Sequence, residues 1–198
     1  MIGSLLRAGL WRAALAQVGG FSVQGERPDG PCVVVANHSS HADTAALLAA
    51  LPARRRPAVA AADDYWFGHR GRAWTARTVA GAFPVRRNGG GRDDLLAAAP
   101  LLRRGHIVVV YPEGTRSRDG ALARFRSGAA QLAERAGVPL VPAAIHGTRR
   151  LLPRDGRLRR APVTVRFGTP VHDIHAAQEQ VATMLQTPTT KVGATHDH

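Results

Sequence analysis

Residues 32–51, CVVVANHSSHADTAALLAAL, pass from an unbroken apolar run through a polar cluster into a segment rich in alanine and leucine. The run CVVVA (32–36) has the length and β-branched content of a strand buried on both faces, and ADTAALLAAL (42–51) reads as a helix. A strand followed at once by a helix is the beginning of an α/β layer structure. It also puts NHSSH (37–41) at the strand's carboxyl end, where open α/β sheets form their ligand crevices.

The alternation continues along the chain. PAVAAA (57–62), AFPVRR (82–87), HIVVVYPEG (106–114), VPLVPAAIHG (138–147) and APVTVRFG (161–168) read as strands. GRAWTARTVAG (71–81), DDLLAAAPLLRRG (93–105) and GAAQLAERAG (128–137) read as helices, the second with Pro100 as a potential kink. Pro84 inside AFPVRR points to an edge strand or a strand end. Strands separated by helices predict an α/β fold with a mixed, largely parallel central sheet flanked by helices in a single domain. No internal repeat is visible. The expected division is an amphipathic, membrane-associating helix over 1–22, the domain over 23–186, and a disordered tail over 187–198 that lacks apolar periodicity.

A chain of 198 residues fits one ordinary domain, and 44% hydrophobic with 21% charged residues suits a soluble or peripheral globular protein. Lys191 is the only lysine, so the net charge of +13 rests almost wholly on arginine and favours phosphate-bearing partners. Nucleic acid is not expected among them, because no continuous basic stripe is interleaved with stacking aromatics. Cys32 stands alone, which excludes an intramolecular disulfide and a cysteine-based zinc cluster. Arg7 and Arg12 interrupt the apolar character of the N-terminal segment, which argues against a secretory signal, and no stretch approaches the ~20 apolar residues of a spanning helix.

His38 and Asp43 are five positions apart, which on a regular helix leaves them roughly 140° apart around the axis. They meet only if His38 lies in the turn before the helix and Asp43 in its first turn, pointing back. In that arrangement a carboxylate fixes the imidazole tautomer and stabilises the imidazolium, giving a general base for an alcohol. Two other readings use the same residues. Ser40 and Asp43 can serve as a capping-box-like helix start, and His38, His41 and Asp43 can be read as metal ligands, although no further dense His/Asp/Glu cluster completes a site. Neither Ser39 nor Ser40 sits in a G-x-S-x-G elbow, so neither is taken as a nucleophile.

A second anchor, YPEGTRSRDG (111–120), also follows a strong strand. Gly114 permits a tight turn, Thr115 can donate to an anionic oxygen, and Arg116 offers a planar fork suited to phosphate. Glu113 cannot itself favour a phosphate dianion, and is expected to accept from a substrate hydroxyl or to hold an arginine in place.

NHSSHAD (37–43) followed by YPEGTRS (111–117) resembles the glycerolipid acyltransferase family, over roughly residues 23–170. GAFPVRR (81–87) is similar to the family's second motif, with Gly81, Phe83 and Arg87 in register, and VPLVPAAIHG to its fourth, with Pro142 in place. The resemblance implies His38 as base, Asp43 as its partner, and Arg87, Glu113, Gly114, Thr115 and Arg116 as the acceptor-binding group. It further implies a fatty acyl thioester on coenzyme A or acyl carrier protein as co-substrate, no catalytic metal or other cofactor, and a lysophospholipid acceptor, first of all 1-acyl-glycerol 3-phosphate. Glycerol 3-phosphate, another lysophospholipid or a glycolipid is the alternative acceptor. Arg86 stands where family members often have an acidic residue, and Arg126 where they have lysine; both keep or raise positive charge.

Such a protein is expected at the cytoplasmic face of the cell membrane, held to an anionic surface. Leu5, Leu6, Leu10, Trp11 and Leu15 form a candidate apolar band with Arg7 and Arg12 beside it, and Arg54, Arg55 and Arg56 lie near DDYWFGHRGRAW (63–74). Core packing of Trp66, Phe67 and Trp74 is the competing reading. A catalytically silent binding protein and a basic nucleic-acid-binding module are the remaining function classes.

Overall fold

The computed structural model describes residues 2–66, 68–86, 89–153 and 156–188. Seven strands form one sheet in the order β1-β7-β6-β2-β5-β3-β4, where β1 is Phe21–Gln24, β2 Cys32–Ala36, β3 Ala58–Ala62, β4 Ala82–Val85, β5 Ile107–Val110, β6 Leu140–His146 and β7 Val163–Phe167. All neighbouring pairs run parallel except β6 with β7. The mixed, largely parallel sheet is therefore as expected.

The central strands are buried along their whole length apart from the terminal His146. This is why they read as continuous Val/Ile/Leu runs and not as alternating patterns. Their side chains divide by parity. Val34, Ala36, Ile107 and Val109 face one core, shared with α2 (Ala42–Ala50). Val33, Val35, Val108 and Val110 face the other, filled by α6 (Ala99–Arg103), α7 (Gly128–Ala136) and α9 (Ile174–Gln186). Pro84 lies in β4 at the sheet edge, where a residue without an N–H costs no ladder bond.

The structure departs from the sequence expectations in four places. The helix expected over 93–105 is two, α5 (Gly91–Leu96) and α6, because Pro100 in the first turn of α6 can start a helix but not continue one. Strand β1 straddles the expected boundary at 22/23 and pairs with β7, so the N-terminal segment is built into the sheet. Helix α9, unmarked by the sequence patterns, covers one core, and the one-turn helices α3 (Asp63–Trp66) and α8 (Thr148–Leu151) are likewise unmarked. The expected apolar band on α1 (Ile2–Gln17) is two faces. Leu15 is buried and Trp11 half-buried against the core, while Leu5, Leu6 and Leu10 are exposed. Arg12 Nε donates to Ala49 O (2.6 Å) and Arg7 Nη1 to Thr78 O (3.4 Å), in the last turns of α2 and of α4 (Arg70–Val79), where carbonyls lack helical partners.

Trp74 is exposed, whereas the side chains of Trp66 and Phe67, and the tail from residue 189, lie outside the described residues. No described helix is long and apolar enough to cross a membrane.

Candidate active site

Strands β2 and β5 are adjacent and in register, Val35 beside Val110, so the loops at their carboxyl ends are neighbours in space. The two sequence anchors thus converge. Asn37 fixes the start of the first loop by pairing with β6, its Nδ2 donating to Ile145 O (3.1 Å) and its Oδ1 accepting from Ile145 N (2.8 Å).

His38 is held from four sides. Its backbone N–H donates to Glu113 Oε1 (2.6 Å), its carbonyl accepts from Ser117 N (2.8 Å), and its Nδ1 lies 2.8 Å from Asp43 Oδ2. Its ring stacks on Tyr111, centroids 4.1 Å apart and planes at 15°. Fully buried Asp43, in the first turn of α2, also accepts from Ser39 N (2.7 Å) and Ser40 N (2.8 Å) on the same oxygen. Acceptance of Nδ1–H by the carboxylate leaves Nε2 with its lone pair, and His38 lines a cavity of about 1090 Å³. At the start of α2, Ser40 Oγ accepts from Ala42 N and donates to Leu152 O, while Asp43 reaches back to the Ser40 amide. Among the described residues no group of three or more His, Cys, Asp or Glu is placed to hold a metal ion, so His38, His41 and Asp43 do not form the ligand set considered above.

Both carboxylate oxygens of Glu113 are taken by backbone amides, Oε1 by His38 and Oε2 by Ala123 (3.0 Å), so it ties the two loops together; among the described residues it pairs with no arginine. Burial raises its pKa against the opposing pull of these amides. Gly114 has φ 76°, and a Cβ there would come within 2.9 Å of the Arg126 guanidinium, so the glycine lets that arginine lie over the turn. Gly114, Thr115, Arg116 and Arg126 all line the cavity, as does Arg92. Arg87 lies outside the described residues.

Arg86 does not add the free charge expected of it. Its Nε and Nη2 each donate to Asp94 at 2.8 Å, and Asp94 is lowered to about 2 by that pairing. Sequence reasoning missed Tyr111 and Arg92 as wall residues. Tyr111 could have been found from its place immediately after β5, opposite the His38 turn. Burial and the Asp43 charge push its phenol well above its usual range, and its hydroxyl hydrogen-bonds with Thr44 Oγ1 (3.1 Å).

His41 also lines the cavity, and burial, then the charges of Arg116 and His38, lower its pKa to about 4. The unfolded chain therefore binds a proton near ~6.5 that the folded chain refuses until about 4, so stability present above the unfolded value is lost as pH falls through this window. Replacing His41 by glutamine is expected to flatten the decline of melting temperature between pH ~6.5 and ~4. An unchanged slope in thermal melts across that range would contradict the assignment.

Much of the remaining wall is apolar, formed by Trp11, Leu15 and Val18 of the α1 segment, Leu48 of α2, and Leu151 and Leu152. An imidazole, arginine forks and aliphatic side chains thus share one space.

Comparison with known proteins gives the same grouping. The sequence model of the family described as Acyltransferase matches residues 20–146. The chain is 32% identical over 154 residues to a chloroplastic 1-acyl-sn-glycerol-3-phosphate acyltransferase of Brassica napus, covering 73% of this chain and 42% of that one. It is 37% identical over 118 residues to the human 1-acyl-sn-glycerol-3-phosphate acyltransferase alpha, covering 58% of this chain and 40% of that one. It thus spans less than half the length of these relatives. The crystal structure of the 1-acyl-sn-glycerophosphate acyltransferase PlsC from Thermotoga maritima superposes with a TM-score of 0.72 at 25% identity, covering 91% of this chain and 76% of that one. With the matched segment containing both the His38–Asp43 pair and the Glu113–Arg116 turn, the chain belongs to the glycerolipid acyltransferase family.

Proposed function

We propose that the protein transfers a fatty acyl group from a thioester, on coenzyme A or acyl carrier protein, to the free hydroxyl of 1-acyl-glycerol 3-phosphate, with His38 as general base. The observation that carries this reading is the His38–Asp43 contact of 2.8 Å in a cavity that also has arginine and aliphatic walls. The names of the relatives support the acceptor.

In the proposed step, His38 Nε2 takes the acceptor hydroxyl proton while that oxygen bonds to the thioester carbonyl carbon. The tetrahedral adduct then expels the thiolate, which receives the proton from the imidazolium. Asp43 stabilises the imidazolium between these events. The step involves no change of oxidation state, and alcohol and thioester balance it without another reactant. Thr115, Arg116 and Arg126 hold the acceptor phosphate, Arg116 and Arg126 with planar forks. Arg87 belongs to this group by its motif.

The membrane enters through the substrates. Sixteen carbons gain on the order of 12 kcal/mol from burial in a bilayer, so donor chain and acceptor reside there and the enzyme works peripherally on its cytoplasmic face.

The test is thiol release from a long-chain acyl-CoA offered with lysophosphatidic acid, glycerol 3-phosphate or lysophosphatidylcholine. Turnover is expected to be highest with lysophosphatidic acid; no thioester consumption with any acceptor would end the reading. Arg116→Ala is expected to cost about 10–100-fold in kcat/KM with lysophosphatidic acid, the loss of a charge-assisted pair, and much less with an uncharged acylglycerol. Equal losses with both acceptors would remove phosphate binding from Arg116.

A further inference from the structure

The loop before β7 holds Arg157, Leu158, Arg159 and Arg160, all exposed. Leu158 is 64% exposed and yet lines the cavity that contains His38. It therefore marks an opening of that cavity to the outside. The residues that follow α1 adjoin the end of this loop: Ala161 N donates to Val18 O (2.9 Å), and Gly19 packs so closely on Ala161 that a Cβ there would lie 2.5 Å from its backbone. Val18 and the exposed Ala14 line the cavity with Leu158, and Leu151 and Leu152 continue the apolar surface inward.

We infer that this gap between the end of α1 and the Arg157–Arg160 loop is a side portal that rests on an anionic bilayer, Leu158 dipping among the acyl chains and the flanking arginines meeting lipid phosphates. The inference rests on the acyl-transfer reading for its purpose, since it supplies the route by which a lipid tail slides into the cavity without crossing water. Two features favour a bilayer over an acidic carrier protein as the occupant. The lining at this end is aliphatic, with Ala14, Val18, Leu151, Leu152 and Leu158, whereas a thioester arm of amides would need polar walls. In addition, α1, which carries Ala14, exposes Leu5, Leu6 and Leu10, with no acidic residue anywhere on the helix. Apolar tips among arginines match the interface between headgroups and acyl chains.

The sole cysteine makes a direct test available. Cys32 is buried with its thiol pushed up to about 12, so it stays inert to a maleimide. In the full chain, Leu158→Cys carrying an environment-sensitive fluorophore is expected to brighten and shift to shorter wavelength with vesicles of phosphatidylcholine and phosphatidylglycerol. The same label at Glu179→Cys is expected not to respond, because Glu179 lines a separate cavity beside Cys32, at the amino end of β2. Without any label, changing Arg157, Arg159 and Arg160 together to glutamine is expected to weaken cosedimentation on the order of 100-fold, and Leu158→Ser about tenfold. A label at 158 indifferent to vesicles that the chain nevertheless binds would overturn the portal, as would a response to an acidic carrier protein but not to lipid. Label insertion without thioester turnover would uphold the portal and remove only the acyl-transfer reading.

Discussion

His38→Ala is expected to lower kcat/KM for acyl transfer by about 10³–10⁴, the upper part of the range for general base catalysis, with the fold retained. The fold survives because the groups that pin residue 38 to its neighbours are its backbone N–H and carbonyl, held by Glu113 and Ser117, and alanine keeps both. What goes is an imidazole that a carboxylate holds within the cavity at hydrogen-bond distance. Unchanged turnover by a variant with a native melting profile would remove the base from the mechanism. Added imidazole has room to enter the space left, so partial rescue that grows with the fraction of neutral imidazole would support a proton-transfer role.

Asp43→Asn is expected to reduce kcat by about 10²–10³ and to lower stability by roughly 1.5–3 kcal/mol, the worth of a hydrogen bond to a charged group. For a chain of this size that is about 3–10 °C in melting temperature. The double effect follows from one oxygen accepting three donors: the imidazole, and the amides of Ser39 and Ser40 at the start of α2. The amide of asparagine keeps the shape and loses the charge. It also admits the flipped arrangement, with its NH₂ toward Nδ1, in which the proton moves to Nε2 and the base is spent. Because Asp43 acts through His38, the double variant His38→Ala/Asp43→Asn should lose no more activity than His38→Ala alone, while its stability loss should persist. Additive activity losses in that cycle would mean that Asp43 touches the reaction independently.

The sequence carried this pair because the chemistry is local. Residues 38 and 43 are joined by a single strand-to-helix turn, and the geometry that lets them meet is the geometry such a turn imposes. The same holds for the central strands, whose burial on both faces writes itself as uninterrupted valine and isoleucine. Glu113 was less legible. Its type suggested a partner for a cation, but one of the two amides that set its environment, that of His38, lies 75 residues away along the chain and comes beside it only after β2 and β5 pair. Arg86 shows the same limit from the charge side: eight residues on, Asp94 pairs with a guanidinium that the sequence records only as added positive charge.

By itself, then, the sequence determined the α/β alternation, the motif that carries the family and the meeting of His38 with Asp43, all features fixed by contacts within a few residues or by burial patterns that repeat along a strand. Only the tertiary structure decided that α1 turns its arginines onto the ends of α2 and α4, that Tyr111 backs the imidazole, and that Leu158 sits at an opening of the cavity. Those outcomes depend on which strands become neighbours, and the free energy that selects them is spread over the whole core, where no short stretch of sequence records it.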